Sequence, residues 1–223
     1  MSVNWIRIFI QMKSMLKVLS LSLFALVSFT QSAQAVILLD DNFDGENGGS
    51  FALDFTGFTN WNVLNGSVDL IGNGAFDEFP GNGLYVDLDG GTSDAGDLTS
   101  STAFAFNPGD TVTLTFDILG EAGGAVNLNE MTVSLGGIFS EDFDSNTPTG
   151  MQTINAVVSS SETANLVFSH AGGDNTGLFI DNVVLQSSSA SVPFEFSPGM
   201  GILLSMGVFG AYKYRKNKKD IEI

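Results

Sequence analysis

The middle of this chain alternates apolar and polar residues with the period of a β-strand. The segment TVTLTFDI (residues 111–118) places Val112, Leu114, Phe116 and Ile118 on one face and threonines on the other. Similar segments occur at residues 67–71, 84–88, 131–135, 165–169 and 179–185. Turn-forming clusters of Gly, Asn and Asp separate them, and no long apolar helical face interrupts them. The pattern predicts an all-β fold, either an antiparallel β-sandwich or a barrel.

The alternating segments define one domain with short extensions. A chain of 223 residues has room for one ordinary domain plus appendages. We assign residues 36–186 to this β-domain. The polar run SSSAS at residues 187–191 is predicted to be a serine-rich linker that ends it.

The charges of the chain are strongly segregated. The formal net charge is −17, and all eight Lys and Arg residues lie at the two ends, with none between Val18 and Tyr212. Residues 36–192 contain 22 Asp and Glu residues. A body without cations cannot neutralise phosphates, which argues against nucleic acid as a partner. Carboxylates without basic partners keep the chain soluble, and they also favour divalent cations.

The N-terminal region has the three parts of a secretory signal peptide. Basic residues up to Lys17 precede an apolar run at residues 18–29, and QSAQA (residues 31–35) then ends at the small residue Ala35. This arrangement predicts a signal peptide at residues 1–35, cleaved after Ala35, and therefore export. An uncleaved signal anchor is the alternative, but the polar residues before Ala35 argue against it.

The C-terminal region contains a short apolar stretch followed by a basic cluster. Residues 196–212 carry no charge, which is close to the lower length limit of a transmembrane helix, about 17–25 residues. Five basic residues then follow between Lys213 and Lys219. By the positive-inside rule this helix is expected to anchor in the inner membrane with a cytoplasmic tail.

The residues before this helix carry a family resemblance. The segment VPFEFSPG (residues 192–199) holds Pro193, Glu195 and Pro198. Together with the helix and the basic tail, residues 192–223 resemble the PEP-CTERM sorting signal in its cyanobacterial form. The resemblance implies recognition and cleavage by a membrane exosortase after export. It further implies delivery to the cell surface or to extracellular polysaccharide, with the membrane anchor only transient.

The body carries a second resemblance at its two ends. The segment DNFDG (residues 41–45), Trp61, and GLFIDNVVL (residues 177–185) are similar to jelly-roll, galactose-binding-like domains. Many such domains are carbohydrate-binding modules. The resemblance implies an antiparallel jelly-roll β-sandwich and a possible polysaccharide partner.

The body offers little for catalysis. His170 is the only histidine, the chain has no cysteine, and no Gly-x-Ser-x-Gly motif occurs. The absence of Lys and Arg also removes any cationic clamp for an oxyanion or phosphate. We therefore expect no enzyme activity. Glycoside hydrolysis needs only two carboxylates and stays open on this ground, although the sequence singles out no pair.

Two non-catalytic functions remain. The first is carbohydrate binding at the cell surface through exposed aromatic residues, for which Trp61, Phe79 and Tyr85 are the candidates. Packing in the core is the alternative for each of them. The second function is that of a structural component of the extracellular matrix without a defined ligand. An aromatic surface clear of the core would favour the first.

Calcium is the cofactor that the acidic composition suggests. The segment DDNFDG (residues 40–45) fits the first half of an EF-hand loop, but Phe51 stands where that loop needs a glutamate, which excludes an EF-hand. In a jelly roll the first and last strands are expected to be neighbours. This pairing predicts a calcium site formed by Asp40, Asp44 and Asp181.

A second, weaker calcium candidate lies in DLDGG (residues 87–91), with Asp87 and Asp89. The alternative for both candidates is that these aspartates accept hydrogen bonds from backbone N–H groups in turns.

Overall fold

The computed structural model describes residues 34–189 except 75, 93, 122–128 and 174. The predicted signal peptide, apart from residues 34 and 35, lies outside the described residues. So do Pro193, Glu195 and Pro198 and the predicted transmembrane helix at 196–212. Within the described part of the chain, no helix is long and apolar enough to cross a membrane.

The described residues are almost entirely β-strands joined by turns, as the alternation predicts. One 3₁₀ turn (Glu46–Gly49) interrupts them. The strands are β1 (Ala35–Asp41), β2 (Trp61–Leu64), β3 (Asp69–Gly72), β4 (Leu84–Asp87), β5 (Asp97–Ser100), β6 (Phe104–Phe106), β7 (Thr111–Glu121), β8 (Glu130–Leu135), β9 (Phe139–Asp144), β10 (Gly150–Val157), β11 (Glu162–Ala164), β12 (Leu166–His170) and β13 (Leu178–Ser188).

The strands form two main antiparallel sheets. The first has the order β10-β7-β13-β4-β3, and β1 also pairs with β13. The second has the order β2-β5-β12-β8-β9, and β11 and β6 form a separate two-stranded sheet. A segment that follows the 3₁₀ turn extends the first sheet beyond β3, because the N–H groups of Ala52 and Leu70 each donate to the other residue's carbonyl.

The hydrophobic core lies between the two main sheets. The side chains of Val112, Leu114, Phe116 and Ile118 on β7 are all buried, as their spacing predicts. The ring of Phe116 packs edge-on against Phe168 of the second sheet, with the ring centres 5.2 Å apart. This packing of one sheet on the other confirms the predicted antiparallel β-sandwich.

Strand β13 pairs with β7 on one side, and on its other side it changes partner halfway along. Its first part pairs with β4, and its second part pairs with β1. The change falls at a bulge after Asp181, where Asn182 adopts a left-handed backbone with φ 52°. The bulge therefore brings the end of β1 and the start of β4 to one place, as expected for neighbouring first and last strands.

The C-terminal boundary of the domain differs from the prediction. Strand β13 does not stop at residue 186, since Ser187 pairs with Val36 and Ser188 pairs with Ala35. The predicted linker at 187–191 therefore begins too early, because the pairing of β13 with β1 continues through these serines. The unit Ala33–Ala190 is compact by itself, and all described strands lie within it.

Candidate functional site

Trp61 is not an exposed aromatic. Its side chain is only 1% exposed and packs against Phe43 and Phe168. Its indole N–H donates to Oδ2 of Asp41 at 2.9 Å. The prediction that Trp61 is available to stack on a sugar is therefore wrong, because β2 turns this large ring into the space between the sheets.

Tyr85 and Phe79 belong to a small second cluster on the other face of the first sheet. Tyr85 is fully buried there with Phe179, and the ring of Phe79 covers both, with its centre 6.0 Å from that of Tyr85. The Tyr85 hydroxyl also accepts a hydrogen bond from the Phe79 N–H. The prediction that Tyr85 is an exposed binding residue is thus wrong. Phe79 is half-buried because the β3–β4 connection folds back and packs its ring on the sheet.

Two other phenylalanines, Phe51 and Phe76, form an exposed aromatic pair. Phe51 is 44% exposed and Phe76 is 60% exposed, whereas the other described aromatic residues are buried or half-buried. Their ring centres lie 5.9 Å apart in an edge-to-face arrangement. Sequence reasoning missed this aromatic pair. Both residues sit within glycine-rich turns rather than alternating strands, and that context was the available signal.

The chain holds the aromatic pair in place through its two turns. The side-chain amide of Asn73 donates to the carbonyl of Gly49, which joins the turn before Phe51 to the turn before Phe76. The backbone of Phe76 has φ 50°, a left-handed conformation that is costly for a bulky residue, about 1–3 kcal/mol. An exposed apolar ring and a left-handed backbone thus occur together at Phe76, whereas Phe43, with a similar φ of 57°, is buried in the core.

A shallow, open polar cavity of about 580 Å³ lies beside the end of β1 and the 3₁₀ turn that follows it. It is lined by carboxylates, amides and small residues: Asp40, Asp41, Asn42, Gly45, Glu46, Thr59, Asn60 and Asn182. Glu46 is buried and accepts hydrogen bonds from the backbone N–H and the hydroxyl of Thr59. The cavity therefore offers fixed hydrogen-bonding groups without any cation among its lining residues.

The structure brings two of the three predicted calcium ligands close together. Burial raises the pKa of Asp181 to about 7, and the negative charges of Asp44, Asp117 and Asp41 add to this effect. Asp44 lies here because its Oδ1 accepts the backbone N–H of Leu84, the first residue of β4. Asp40 does not join them, because the strand alternation leaves its side chain exposed on β1.

These carboxylates already have hydrogen-bond donors. The two oxygens of Asp181 accept from the backbone N–H and the side-chain amide of Asn182, and Oδ2 of Asp44 accepts from Asn42. Among the residues that the structure describes, no group of three or more His, Cys, Asp or Glu is arranged to hold a metal ion. The residues described therefore do not supply a three-carboxylate calcium cage, and calcium binding stays a prediction.

The second acidic candidate is a buried cluster on neighbouring strands. Asp69 and Asp87 lie directly opposite each other on β3 and β4. Oδ1 of Asp87 accepts the backbone N–H groups of Asp89 and Gly177. Burial raises the pKa of Asp87 to about 7, and the charges of Asp69 and Asp89 add to this. Asp87 thus accepts backbone N–H groups at a turn, which is the alternative considered for it above.

The structure places His170, the only histidine of the chain, in the second sheet. This residue ends β12 and is buried, and its Nδ1 accepts the backbone N–H of Gly172 at 3.0 Å. Its neighbour Ser169 lies on the opposite face of the strand, as expected from the alternation.

Comparison with known proteins gives only distant similarities. No protein-family model and no curated protein matches the sequence. A family 29 carbohydrate-binding module variant complexed with mannohexaose has a TM-score of 0.37 and 12% identity, covering 72% of this chain and 96% of its own. An adhesin domain of Lys-gingipain from Porphyromonas gingivalis has a TM-score of 0.37 and 15% identity, covering 69% and 99%. At TM-scores this low, neither similarity bears on function.

Proposed function

We propose that this protein is an exported, non-catalytic module that binds neutral carbohydrate polymers through the aromatic pair. The observation that carries the proposal is the exposure of Phe51 and Phe76 in a domain whose other described aromatic rings are buried or half-buried. Exposed aromatic rings offer apolar faces that stack on the C–H groups of sugar rings, and they gain by leaving water. The backbone of Phe76 adopts a left-handed conformation with φ 50°, and its ring is the more exposed of the two.

The charge of the domain selects the class of polymer. Aspartates lie near the aromatic pair along the chain, including Asp54 and Asp77, and no Lys or Arg occurs between residues 18 and 212. An anionic polysaccharide would meet like charge without a cation to pair with. We therefore expect neutral polysaccharides rather than uronic-acid or sulfated polymers.

Export and sorting complete the proposal. The signal peptide at residues 1–35 would direct the chain out of the cytoplasm. Exosortase would then recognise Pro193, Glu195 and Pro198, and release from the membrane would deliver the domain to the cell surface or its polysaccharide. These steps rest on the sequence resemblance, and the domain's ligand does not depend on them.

The test is affinity electrophoresis of the unit Ala33–Ala190 in native gels containing a neutral mannan, a neutral glucan or alginate. We expect retardation by a neutral polymer but not by alginate. We expect Phe51→Ala and Phe76→Ala each to weaken binding about tenfold, a change of about 1.4 kcal/mol. Because both rings are exposed, the melting temperature should change little.

Leu64→Ala is the matched control, since Leu64 is 50% exposed and lies on the second sheet. It should bind like the wild type. If the double variant of Phe51 and Phe76 binds as well as the wild type, the aromatic pair is not the site. If no neutral polymer retards the protein, the alternative of a structural matrix component without a defined ligand is favoured.

A further inference from the structure

Strand β10 is an edge strand of the first sheet. Its outer edge has no strand partner among the described residues. It pairs only with β7, from Gly150 opposite Ile118 to Val157 opposite Thr111, without any register shift. It is thus a regular strand with one unfilled row of backbone hydrogen-bonding groups.

The hydrogen bonds just after β10 show which of its residues face the open edge. The N–H of Val158 donates to the carbonyl of Asp110, and its own carbonyl accepts from the N–H of Gly109. Val158 therefore faces β7. Because successive residues of a strand direct their backbone groups to opposite sides, the residues facing the open edge are Met151, Thr153, Asn155 and Val157.

This edge lacks the features that normally prevent pairing with another chain. Charged residues, prolines and bulges protect edge strands, and β10 (GMQTINAV) contains none of them. Three other described edge strands differ. Strand β9 carries Glu141 and Asp142, β1 has a bulge between Ile37 and Leu39, and β2 is only four residues long.

The composition of the edge indicates which partner fits. Residues 36–192 hold 22 carboxylates, so two copies of this domain repel each other over most of their surface. An uncharged strand is where a second copy can approach without placing carboxylate against carboxylate. An antiparallel strand also pairs with itself around a twofold axis, which gives a closed dimer and leaves no further β10 edge open.

We propose that β10 pairs antiparallel with β10 of a second copy, with the twofold axis through Ile154. Directly opposite residues must lie on the same face of the joined sheet. With Ile154 on the axis, Met151 lies opposite Val157, and Thr153 lies opposite Asn155. Met151 and Val157 are 71% and 68% exposed, so this register covers the two most exposed apolar side chains of the strand. The edge-facing groups of all four residues then find partners.

The first test is sedimentation velocity of the unit Ala33–Ala190 over a concentration series. The dimer fraction should rise with concentration, and it should rise further at about 0.5 M salt, because salt screens the repulsion between the acidic domains. Thr153→Pro removes one edge-facing N–H and leaves the bonds to β7 intact, so the monomer should fold. We expect it to raise the dimer dissociation constant at least tenfold.

A charge provides the second variant. Thr153→Glu should weaken the dimer in the same way, whereas Thr163→Glu, at an exposed strand position on β11, should not. A protein that stays monomeric throughout the series would overturn the proposal. So would a Thr153→Pro variant that keeps both the wild-type melting temperature and the wild-type dimer.

Engineered cysteines test the register, since the chain has no cysteine of its own. Under mild oxidation the double variant Thr153→Cys/Asn155→Cys should form a covalent dimer, because these positions lie opposite each other. The single variant Thr153→Cys should not, because its two copies are diagonal across the axis and too far apart for a disulfide. Equal cross-linking of both variants would overturn the register with Ile154 on the axis.

Discussion

The indole N–H of Trp61 donates to the carboxylate of Asp41 across 2.9 Å inside the sandwich. The same carboxylate accepts the side-chain amide of Asn60 through Oδ2 and the backbone N–H of Phe43 through Oδ1. Asp41 thus ties the end of β1 to the start of β2. Trp61 has the largest ring of the described core, and the buried carboxylate of Asp41 accepts the hydrogen bond of its indole N–H.

We predict that Asp41→Ala destabilises the unit Ala33–Ala190 by about 2–3 kcal/mol, because it leaves three buried or partly buried N–H donors without an acceptor. Urea unfolding followed by tryptophan fluorescence measures this directly. Asp142→Ala is the control, since Asp142 is exposed and accepts only from the hydroxyl of Thr132 among described groups. It should cost less than about 0.5 kcal/mol. Equal losses in the two variants would contradict the role of Asp41.

We predict that the domain is more stable in mild acid than in mild base. The pKa values of Asp87 and Asp181 are raised from 3.8 to about 7 in the folded state, chiefly by burial. Carboxyl groups with raised folded pKa values contribute stability that is fully present below pH 3.8 and lost as the pH rises through 7. The melting temperature should therefore fall by several degrees between pH 5 and pH 8.

The variant Asp87→Asn tests whether Asp87 causes this fall of the melting temperature with pH. Its amide oxygen can still accept the N–H groups of Asp89 and Gly177, while the negative charge beside Asp69 is gone. We expect a higher melting temperature than wild type at pH 8 and a shallower dependence on pH. Glu141→Gln on the exposed strand β9 controls for net charge. A pH dependence unchanged in Asp87→Asn would rule out Asp87 as a source.

If calcium binds through Asp44 and Asp181, the melting temperature should also depend on the calcium concentration. Burial is the main cause of the raised pKa of Asp181, and a divalent cation between the two carboxylates would relieve the repulsion from Asp44 that adds to it. At about 10 mM calcium, a site with a dissociation constant of about 10⁻⁴ M adds roughly 2.7 kcal/mol of stability. The melting temperature of Ala33–Ala190 should then rise with calcium, and Asp181→Ala should abolish the rise.

Magnesium at the same concentration is the control for charge screening. If both ions raise the melting temperature equally in the wild type and in Asp181→Ala, no specific site exists. The aspartates then serve only as acceptors for backbone and amide N–H groups, as their hydrogen bonds in the structure already allow.

The sorting prediction concerns the C-terminus of the full chain. In cells with an exosortase, we expect the protein extracted from the cell surface to lack the basic tail. In cells without one, the tail should stay and hold the protein in the inner membrane. Mass spectrometry of the mature C-terminus measures this, and a surface protein that still ends with residues 213–223 would contradict processing.

The β-sandwich could be predicted from local patterns. Period-two alternation requires only that one face of a strand be buried, and the buried face of TVTLTFDI (residues 111–118) follows from its own spacing. The proximity of Asp44 to Asp181 was also predictable in outline, since it needed only the first and last strands to be neighbours. The bulge at which β13 changes from pairing with β4 to pairing with β1 could not be predicted, because a bulge has no distinct sequence pattern.

The sequence by itself determined the strand faces, the absence of internal cations and the charge segregation that restricts possible partners. Only the tertiary structure decided which aromatic rings face solvent. Trp61 and Tyr85 are enclosed by residues distant in sequence, such as Phe168 and Phe179, whereas Phe51 and Phe76 pack edge-on against each other and are exposed. Burial depends on which strands pair and how the sheets pack, and these contacts join residues far apart along the chain, beyond the reach of any local pattern.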